Sequence, residues 1–254
     1  MAFEIPRLRT ADPEPLVRPP TPEEVAELSK KYDPQRENLE RANQARKEKS
    51  LAADIATNMK RWHADPWAMI KDGVIWTLDE TNFKTPIAKF PPYPWLEQIT
   101  RQWEANRLIA IPKSRRMMIT WLMIYLHLWL AMWHPGKSIF FMSENERLSK
   151  DLIKKCEFIL RNIPENVMLK PRVKHKESMI EFPGLDSYIL SVPQGEDQLR
   201  SYTASAILFD EFAFWERPMA TLAAAKPSIT GGGRLTIVST PGKECFREIC
   251  FDMI

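Results

Sequence analysis

The sequence predicts an α/β protein whose main domain has three layers and a largely parallel sheet. From Leu108 onwards, short apolar runs typical of strands alternate with longer stretches of helical pattern. One of these runs, Ala206–Phe209, is wholly apolar, as are strands that are buried on both faces. The chain has 254 residues, of which 44% are hydrophobic, and this is enough for one sizeable domain with an appendage.

The N-terminal part predicts an arm followed by two helices. Residues 1–20 contain five prolines, which predicts an extended or disordered arm. Thr21 and Glu24 have the spacing of a capping box, so we expect a short helix to begin there. A second helix runs from Pro34 to about Trp62. Its basic residues form either a surface that contacts DNA or a partner protein, or a solvated face. The pattern favours the solvated face.

The rest of the chain divides into an appendage and a main domain. We expect a helical N-terminal appendage at 21–62 and the main domain at 63–254. The strand candidates of the main domain are Leu108–Ile111, Ser138–Ser143, Tyr188–Val192, Ala206–Phe209 and Leu235–Thr240. Helical patterns lie at Ile119–Trp133 and Glu144–Arg161, and Met179–Phe182 forms a hairpin with the third strand candidate. The apolar helix at Ile119–Trp133 is shorter than the ~20 residues of a membrane span, so we expect it to be buried in the core.

Composition argues against several classes of protein. The formal net charge is only +3, so charge alone does not indicate a nucleic-acid binder. The three cysteines have no metal-ligand spacing and cannot all pair, and the four histidines give no zinc site. This cysteine usage fits a reducing cytosol. The N-terminus is charged and rich in proline, which is unlike a signal peptide.

Two adjacent carboxylates follow the apolar strand at 206–209. Burying Asp210 and Glu211 without partners would be expensive, so their position needs a reason. A nucleotide site supplies one: the first acid holds the Mg²⁺ shell, and the second orients and deprotonates an attacking water. The alternative is a strand that ends in a solvated acidic turn.

A basic turn, KSRRMMIT at 113–120, separates the first strand from the apolar helix. Strand, loop and buried helix in this order are typical of a phosphate-binding loop, where backbone N–H groups and the helix N-terminus face the anion. Thr120 stands where such loops place a hydroxyl group for Mg²⁺. The alternative is a basic turn with no ligand.

The turn departs from the usual G-x-x-x-x-G-K-[ST] pattern. Met118 and Ile119 occupy the Gly-Lys positions, and the turn contains no glycine. A lysine for phosphate must then come from the front of the turn, as Lys113, with Arg115 or Arg116 assisting.

Taken in chain order, these elements resemble the ATPase domain of large terminase subunits of tailed phages, the motors that pump DNA into capsids. The turn at 113–120 resembles a deviant Walker A loop, whose lysine lies at its start and whose hydroxyl residue closes it. LFDEFAF at 208–214 is similar to the family's Walker B segment, and VSTP at 238–241 to its coupling motif. The resemblance covers about 62–249 and implies a P-loop fold of the ASCE type, so that 63–254 would be the ATPase domain.

Two further segments resemble the family. The segment that ends in Gln98 precedes the first strand, as the family's adenine-contacting glutamine does, although a helix-surface glutamine is the alternative. Leu199–Tyr202 precedes the acidic strand, where the family has an L-R-G-like element. The resemblance makes Arg200 an arginine finger for a neighbouring subunit's nucleotide. The alternative is a salt bridge to Asp197 or Glu196.

The resemblance implies hydrolysis of the γ-phosphate of ATP with Mg²⁺, and it assigns roles residue by residue. Glu211 would activate the attacking water and Arg200 would be the second catalytic residue, while Thr120 and Asp210 would bind Mg²⁺. The residues assigned to nucleotide binding are Gln98, Lys113, Ser114, Arg115, Arg116, Met117, Met118, Ile119 and Thr120. The residues assigned to coupling, which would sense the γ-phosphate, are Ser239, Thr240 and Pro241. A strand that ends in a capped turn is their alternative.

The family also implies partners. These are double-stranded DNA, the portal protein, the small terminase subunit and further copies of the chain in a ring, whereas an isolated chain can be monomeric. The expected location is the host cell cytoplasm, transiently on the procapsid, with no membrane. Large terminases of this kind usually carry a second, nuclease domain, and the chain stops shortly after Pro241, so we expect no DNA cleavage by it. The basic cluster at 170–176 is either a DNA grip or a solvated loop.

Two other functions stay open. Another P-loop translocase, of the helicase type, would share the fold and the hydrolytic roles. A DNA- or protein-binding structural module with a decayed nucleotide site belongs to a different class. The glycine-free turn favours that module, while the presence of both Asp210 and Glu211 speaks against it.

Overall fold

Helices and strands alternate along the chain, as the sequence predicts. The computed structural model describes residues 21–31, 34–79, 82, 84–165, 168, 170–242 and 244–251. The helices are α1 (Pro22–Lys31), α2 (Pro34–Ala64), α3 (Pro66–Lys71), α4 (Pro94–Ala105), α5 (Ile119–Trp133), α6 (Glu146–Asn162), α7 (Pro218–Ala225) and α8 (Glu244–Phe251). The strands are β1 (Trp76–Leu78), β2 (Ile87–Lys89), β3 (Leu108–Pro112), β4 (Ser138–Ser143), β5 (Lys174–Lys176), β6 (Met179–Phe182), β7 (Ser187–Pro193), β8 (Ala206–Asp210) and β9 (Arg234–Ser239). Short 3₁₀ helices lie at Phe212–Phe214 and Lys226–Ile229.

The chain divides after Asp54 into two units. In the first unit, the capping box is confirmed: the Glu24 N–H donates to Thr21 Oγ1 at 3.3 Å, and the Thr21 N–H donates to Glu24 Oε2 at 2.8 Å. The predicted arm at 1–20 lies outside the described residues. The division into arm, appendage and main domain stays a prediction.

The second unit contains a sheet in the order β3-β9-β8-β4-β7-β6-β5. The first five strands of that order are parallel, and β6 and β5 complete it as antiparallel strands. The strand β9 therefore lies between β3, which leads into the basic turn, and β8, which leads into the acid pair. Since parallel strands end at the same edge, this order brings the three motifs together and confirms the predicted fold class.

Successive side chains of the parallel strands pack into two separate cores. In β4, Phe141 belongs to one core and Phe140 to the other, and in β8 Leu208 and Ile207 divide in the same way. Helices α5 and α6 supply side chains to the first core, whereas α7 and α8 supply them to the second. Helices thus cover both faces of the sheet, which gives the three layers.

Helix α5 is the most buried helix near the basic turn. Twelve of its 15 residues are buried, so it presents apolar side chains all round, as the sequence predicts. His127 is fully buried within it, and burial lowers the pKa of this imidazole to about 4, so the ring is neutral at pH 7. No helix among the described residues has the length and apolar character needed to span a membrane.

Two segments outside the main strand candidates have regular structure. The segment around Gln98 is part of helix α4, in agreement with the helix-surface alternative, and the Trp103 indole N–H of this helix donates to Thr236 Oγ1 of β9 at 3.1 Å. Within the basic cluster at 170–176, residues Lys174–Lys176 form the edge strand β5 instead of a loop. Lysines on an edge strand discourage pairing with other chains, so these charges have a structural use without a ligand.

We predict that Leu208→Ala lowers the free energy of unfolding by about 2–5 kcal/mol, because Leu208 is fully buried between two helical layers. Leu108→Ala is the matched control, since Leu108 is 63% exposed on the first strand of the sheet, and we expect a change within about 0.5 kcal/mol. Chemical denaturation of both variants measures this difference. Equal losses would contradict the burial pattern described above.

Candidate active site

Three loops meet at the carboxyl edge of the parallel strands. The basic turn follows β3, Asp210 and Glu211 stand at the end of β8, and Thr240 follows β9. The Lys113 N–H donates to the Ser239 carbonyl at 3.0 Å, which continues the pairing of β3 with β9 into the turn. The central position of β9 therefore fixes the distance between the basic turn and the acid pair.

Glu211 is bound from both sides at this edge. Lys113 Nζ donates to Glu211 Oε1 at 2.6 Å, while the N–H and Oγ1 of Thr240 both donate to Glu211 Oε2 at 3.1 Å. Burial raises the pKa of Glu211, but the hydrogen bonds from Lys113 and Thr240 outweigh it, so the net shift is downwards. Glu211 is consequently a carboxylate at neutral pH, fixed between the two other motifs.

Asp210 has a different environment from its neighbour. It is 8% exposed, and Thr120 Oγ1 donates to Asp210 Oδ1 at 2.9 Å. Burial raises the pKa of Asp210 to about 6 against the opposing charge of Lys113. A buried carboxylate beside a hydroxyl group is an oxygen pair of the kind that Mg²⁺ binds. Among the described residues no group of three or more His, Cys, Asp and Glu side chains could hold a metal, so a cation here would take its remaining ligands from phosphate or water.

The backbone of the basic turn has the left-handed conformation that glycine favours, although the turn contains no glycine. Met118 has φ 58° and caps α5 in the left-handed conformation, and Arg116 has φ 64°. Met118 occupies the second glycine position of the usual phosphate-loop pattern, so the turn keeps a left-handed backbone without the residue that favours it. A non-glycine residue there costs about 1–2 kcal/mol, and such strain concentrates at functional sites.

A cleft of about 410 Å³ lies between the turn and the acid pair. Its lining includes every turn residue from Lys113 to Thr120, together with Asp210 and Glu211. Trp121, which directly follows the turn on α5, also lines it, as do Leu78, Asp79, Leu148 and Lys155 of more distant segments. None of these five residues was predicted, since the segments of the last four carry no motif and reach the cleft only through the packing of the fold.

Among the predicted site residues, Gln98, Arg200 and the three coupling residues do not line this cleft. Gln98 is exposed on α4. Arg200 is 63% exposed, and its Nη1 lies 2.9 Å from Asp197 Oδ1, so the salt bridge that the sequence left as an alternative is present. Glu196 instead pairs with Arg217 at 2.8 Å.

The coupling segment divides into buried and exposed residues. Ser239 is buried, and its Oγ accepts from the Ala213 N–H at 3.0 Å and donates to the Thr240 carbonyl at 2.9 Å. Thr240 is half-buried against Glu211, and Pro241 is exposed. A movement of Glu211 would therefore change the hydrogen bonds of Thr240, the first residue after β9.

Comparison with known proteins places the chain in a family. Residues 113–245 match a family model whose description is terminase large subunit, T4-like virus type, N-terminal. This range is more than half of the 254 residues. The chain belongs to this large terminase family. The matched range begins at Lys113 and includes Asp210, Glu211 and Thr240. No curated protein gives a significant match.

Solved large terminase structures resemble the chain. The HK97 bacteriophage large terminase has a TM-score of 0.52 at 8% identity over 69% of this chain and 38% of that chain, and it shares the fold. The ATPase domain of the Thermus phage P74-26 large terminase has a TM-score of 0.47 at 16% identity over 63% of this chain and 69% of that chain. The large terminase of a thermophilic bacteriophage has a TM-score of 0.45 at 21% identity, covering 54% of this chain and 35% of that chain.

We predict that Asp210→Asn stabilises the nucleotide-free large terminase chain by about 1–3 kcal/mol at pH 8, because it removes a buried charge. The folded-state pKa of about 6 exceeds the ordinary value of 3.8. Between these values the folded chain binds more protons than the unfolded chain, so the contribution of Asp210 to stability falls as pH rises and stays low above about pH 6.

Urea denaturation at pH 8 and at pH 4 measures this effect. The advantage of Asp210→Asn should shrink at the lower pH, and Glu165→Gln, at an exposed glutamate, should change stability little at either pH. A variant that is less stable than the wild type at pH 8 would show that the Asp210 carboxylate is not destabilising.

Proposed function

We propose that the chain is an ATP-hydrolysing motor domain that drives double-stranded DNA into a viral capsid. The observation that supports this most strongly is that Lys113, Thr120, Asp210 and Glu211 line one cleft. Thr240 holds Glu211 from the end of β9. A cation, a hydroxyl group, a buried carboxylate and a fixed carboxylate base are the groups that phosphoryl transfer to water requires.

Lys113 and Glu211 neutralise each other before nucleotide binds. The phosphate oxygens of ATP would compete for Lys113, and Glu211 would then lose its strongest partner and become able to accept a proton from the attacking water. The turn's backbone amides would contact the same phosphates, since they lie at the N-terminus of α5. Arg115 and Arg116 are exposed on the turn and would assist Lys113.

Thr120 and Asp210 would hold Mg²⁺, and their oxygen atoms fit that role. When bound, Mg²⁺ neutralises charge on the β- and γ-phosphates. Thr240 would report the occupancy of the site, because both of its donors contact Glu211 in the free chain. Ser239 and Pro241 would pass that change on to the segment after β9.

Arg200 and Gln98 have proposed roles outside the cleft of a single chain. Arg200 would leave Asp197 and reach the nucleotide of a neighbouring subunit, where an arginine finger can raise the rate by ~10³-fold or more. Its exposure on the surface supports this role. Gln98 would contact the adenine ring only if α4 borders the bound nucleoside.

The assembled motor is also part of the proposal. We propose a homo-oligomeric ring that works with the portal protein, the small terminase subunit and double-stranded DNA, in the host cell cytoplasm and on the procapsid. Residues 63–254 would form its ATPase domain, with 21–62 as a helical appendage. The chain spans 38% of the length of the HK97 large terminase.

A binding module with a decayed nucleotide site is the second candidate function. The glycine-free turn favours it. The left-handed backbone at Met118 and the ion pair that joins Lys113 to Glu211 speak against decay, because both preserve geometry that a lost site would not need.

We predict that Glu211→Gln lowers ATP turnover by about 100-fold or more while Mg-ATP still binds, because the variant loses the base but keeps its shape. Lys113→Ala should weaken Mg-ATP binding by about 10-fold or more. Glu216→Gln, at an exposed glutamate shortly after Glu211, is the control and should keep both properties. Calorimetric titration measures binding, and phosphate release measures turnover.

Nucleotide binding decides between the two candidate functions. If concentrated wild-type chain binds no Mg-ATP, the binding module replaces the motor. Turnover that survives Glu211→Gln would remove Glu211 from the role of base. Slow turnover by the wild type is compatible with the motor, because a finger from a neighbouring subunit requires assembly.

A further inference from the structure

The cleft contains a second lysine that the basic turn does not supply. Lys155 lies on α6 and lines the cleft together with Lys113 and Asp210. Its Nζ is 5.8 Å from the ring centroid of Trp121, the residue that follows Thr120 on α5. The packing of α6 against α5 therefore brings a positive charge to the side of the cleft next to the hydroxyl group of Thr120.

Lys155 differs from the neighbouring lysines of α6 in its partners. Lys150 pairs with Glu146 at 2.7 Å, and Lys154 pairs with Asp151 at 3.0 Å. Lys155 makes no ion pair within 4 Å among the residues that the structure describes, although it is half-buried. A partly desolvated ammonium group without a carboxylate is costly, and an anion in the cleft would offset that cost.

The other lysine of the cleft is already engaged. Lys113 is 9% exposed and lies 2.6 Å from Glu211, so an incoming phosphate must displace a carboxylate to reach it. Lys155 presents no such barrier. Its charge extends into the site, since it is among the groups that lower the pKa of Asp210.

We propose that Lys155 is a phosphate-binding residue of this cleft, which contacts the phosphate groups of a nucleoside triphosphate independently of the basic turn. This inference rests on the proposed function, because it assigns a further contact to the same nucleotide. Lysine suits the role because its ammonium group is a compact charge on a flexible stem and can follow a phosphate oxygen.

The proposal links nucleotide binding to α6. Lys113 and Lys155 come from the turn after β3 and from the helix after β4, so one triphosphate would bridge two elements that are separate in sequence. Ser143, at the end of β4, leads through Asn145, whose Oδ1 caps α6 by accepting from the Leu148 N–H at 3.0 Å. Leu148 also lines the cleft, so α6 contributes two lining residues, Leu148 near its N-terminus and Lys155 two turns later.

The test compares Lys155→Met with Lys154→Met in the full chain. Lys154 is the matched control, because it is exposed, paired with Asp151 and adjacent on the same helix. Binding of Mg-ATP, Mg-ADP and adenosine is measured by calorimetry, and folding by circular dichroism. Lys155→Met should weaken Mg-ATP binding by about 10- to 100-fold and leave adenosine binding unchanged. Lys154→Met should bind all three ligands as the wild type does, and Lys155→Arg should retain most of the affinity.

Several outcomes would overturn the inference. If the wild type binds Mg-ATP and Lys155→Met binds it within about twofold of the wild type, Lys155 is no phosphate contact, while the proposed function stands. Equal losses for Mg-ATP and adenosine would assign Lys155 a structural role. A wild type that binds no nucleotide removes the proposed function and this inference together. If Lys155→Met does not fold, Lys155→Gln is read against the same criteria.

Discussion

The ion pair between Lys113 and Glu211 is the interaction on which the site depends. It joins the turn after β3 to the acid pair after β8 across the intervening β9, and Thr240 closes it from the third side. The same contact holds the proposed base and the proposed phosphate ligand in a mutually neutralised state, which nucleotide would have to open.

The two acids of the site have opposite electrostatic environments. Donors from two elements lower the pKa of Glu211, whereas burial raises that of Asp210. Adjacent carboxylates with shifted pKa values in opposite directions are typical of sites where two acids have different tasks. Here the more exposed acid suits proton transfer, and the buried one suits a cation. The free chain therefore carries a destabilising charge at Asp210, as many functional sites do.

Much of the fold could be predicted from the sequence because its signals are local. The apolar run of β8 and the helix at Ile119–Trp133 are visible in one short window each. The acid pair and the basic turn could be singled out by residue type and chain order. Lys155 could not be, because its place in the cleft depends on how α6 packs against α5. The proposed role of Arg200 illustrates a different limit, since contacts with a neighbouring subunit are not visible within one chain.

The decisive measurement is a structure of the chain with Mg²⁺ and a non-hydrolysable ATP analogue. We expect the triphosphate to lie between the turn at 113–120 and Asp210, with Lys113 Nζ on a phosphate oxygen and no longer on Glu211. An analogue bound elsewhere, or a Lys113–Glu211 pair that persists beside a bound triphosphate, would contradict it.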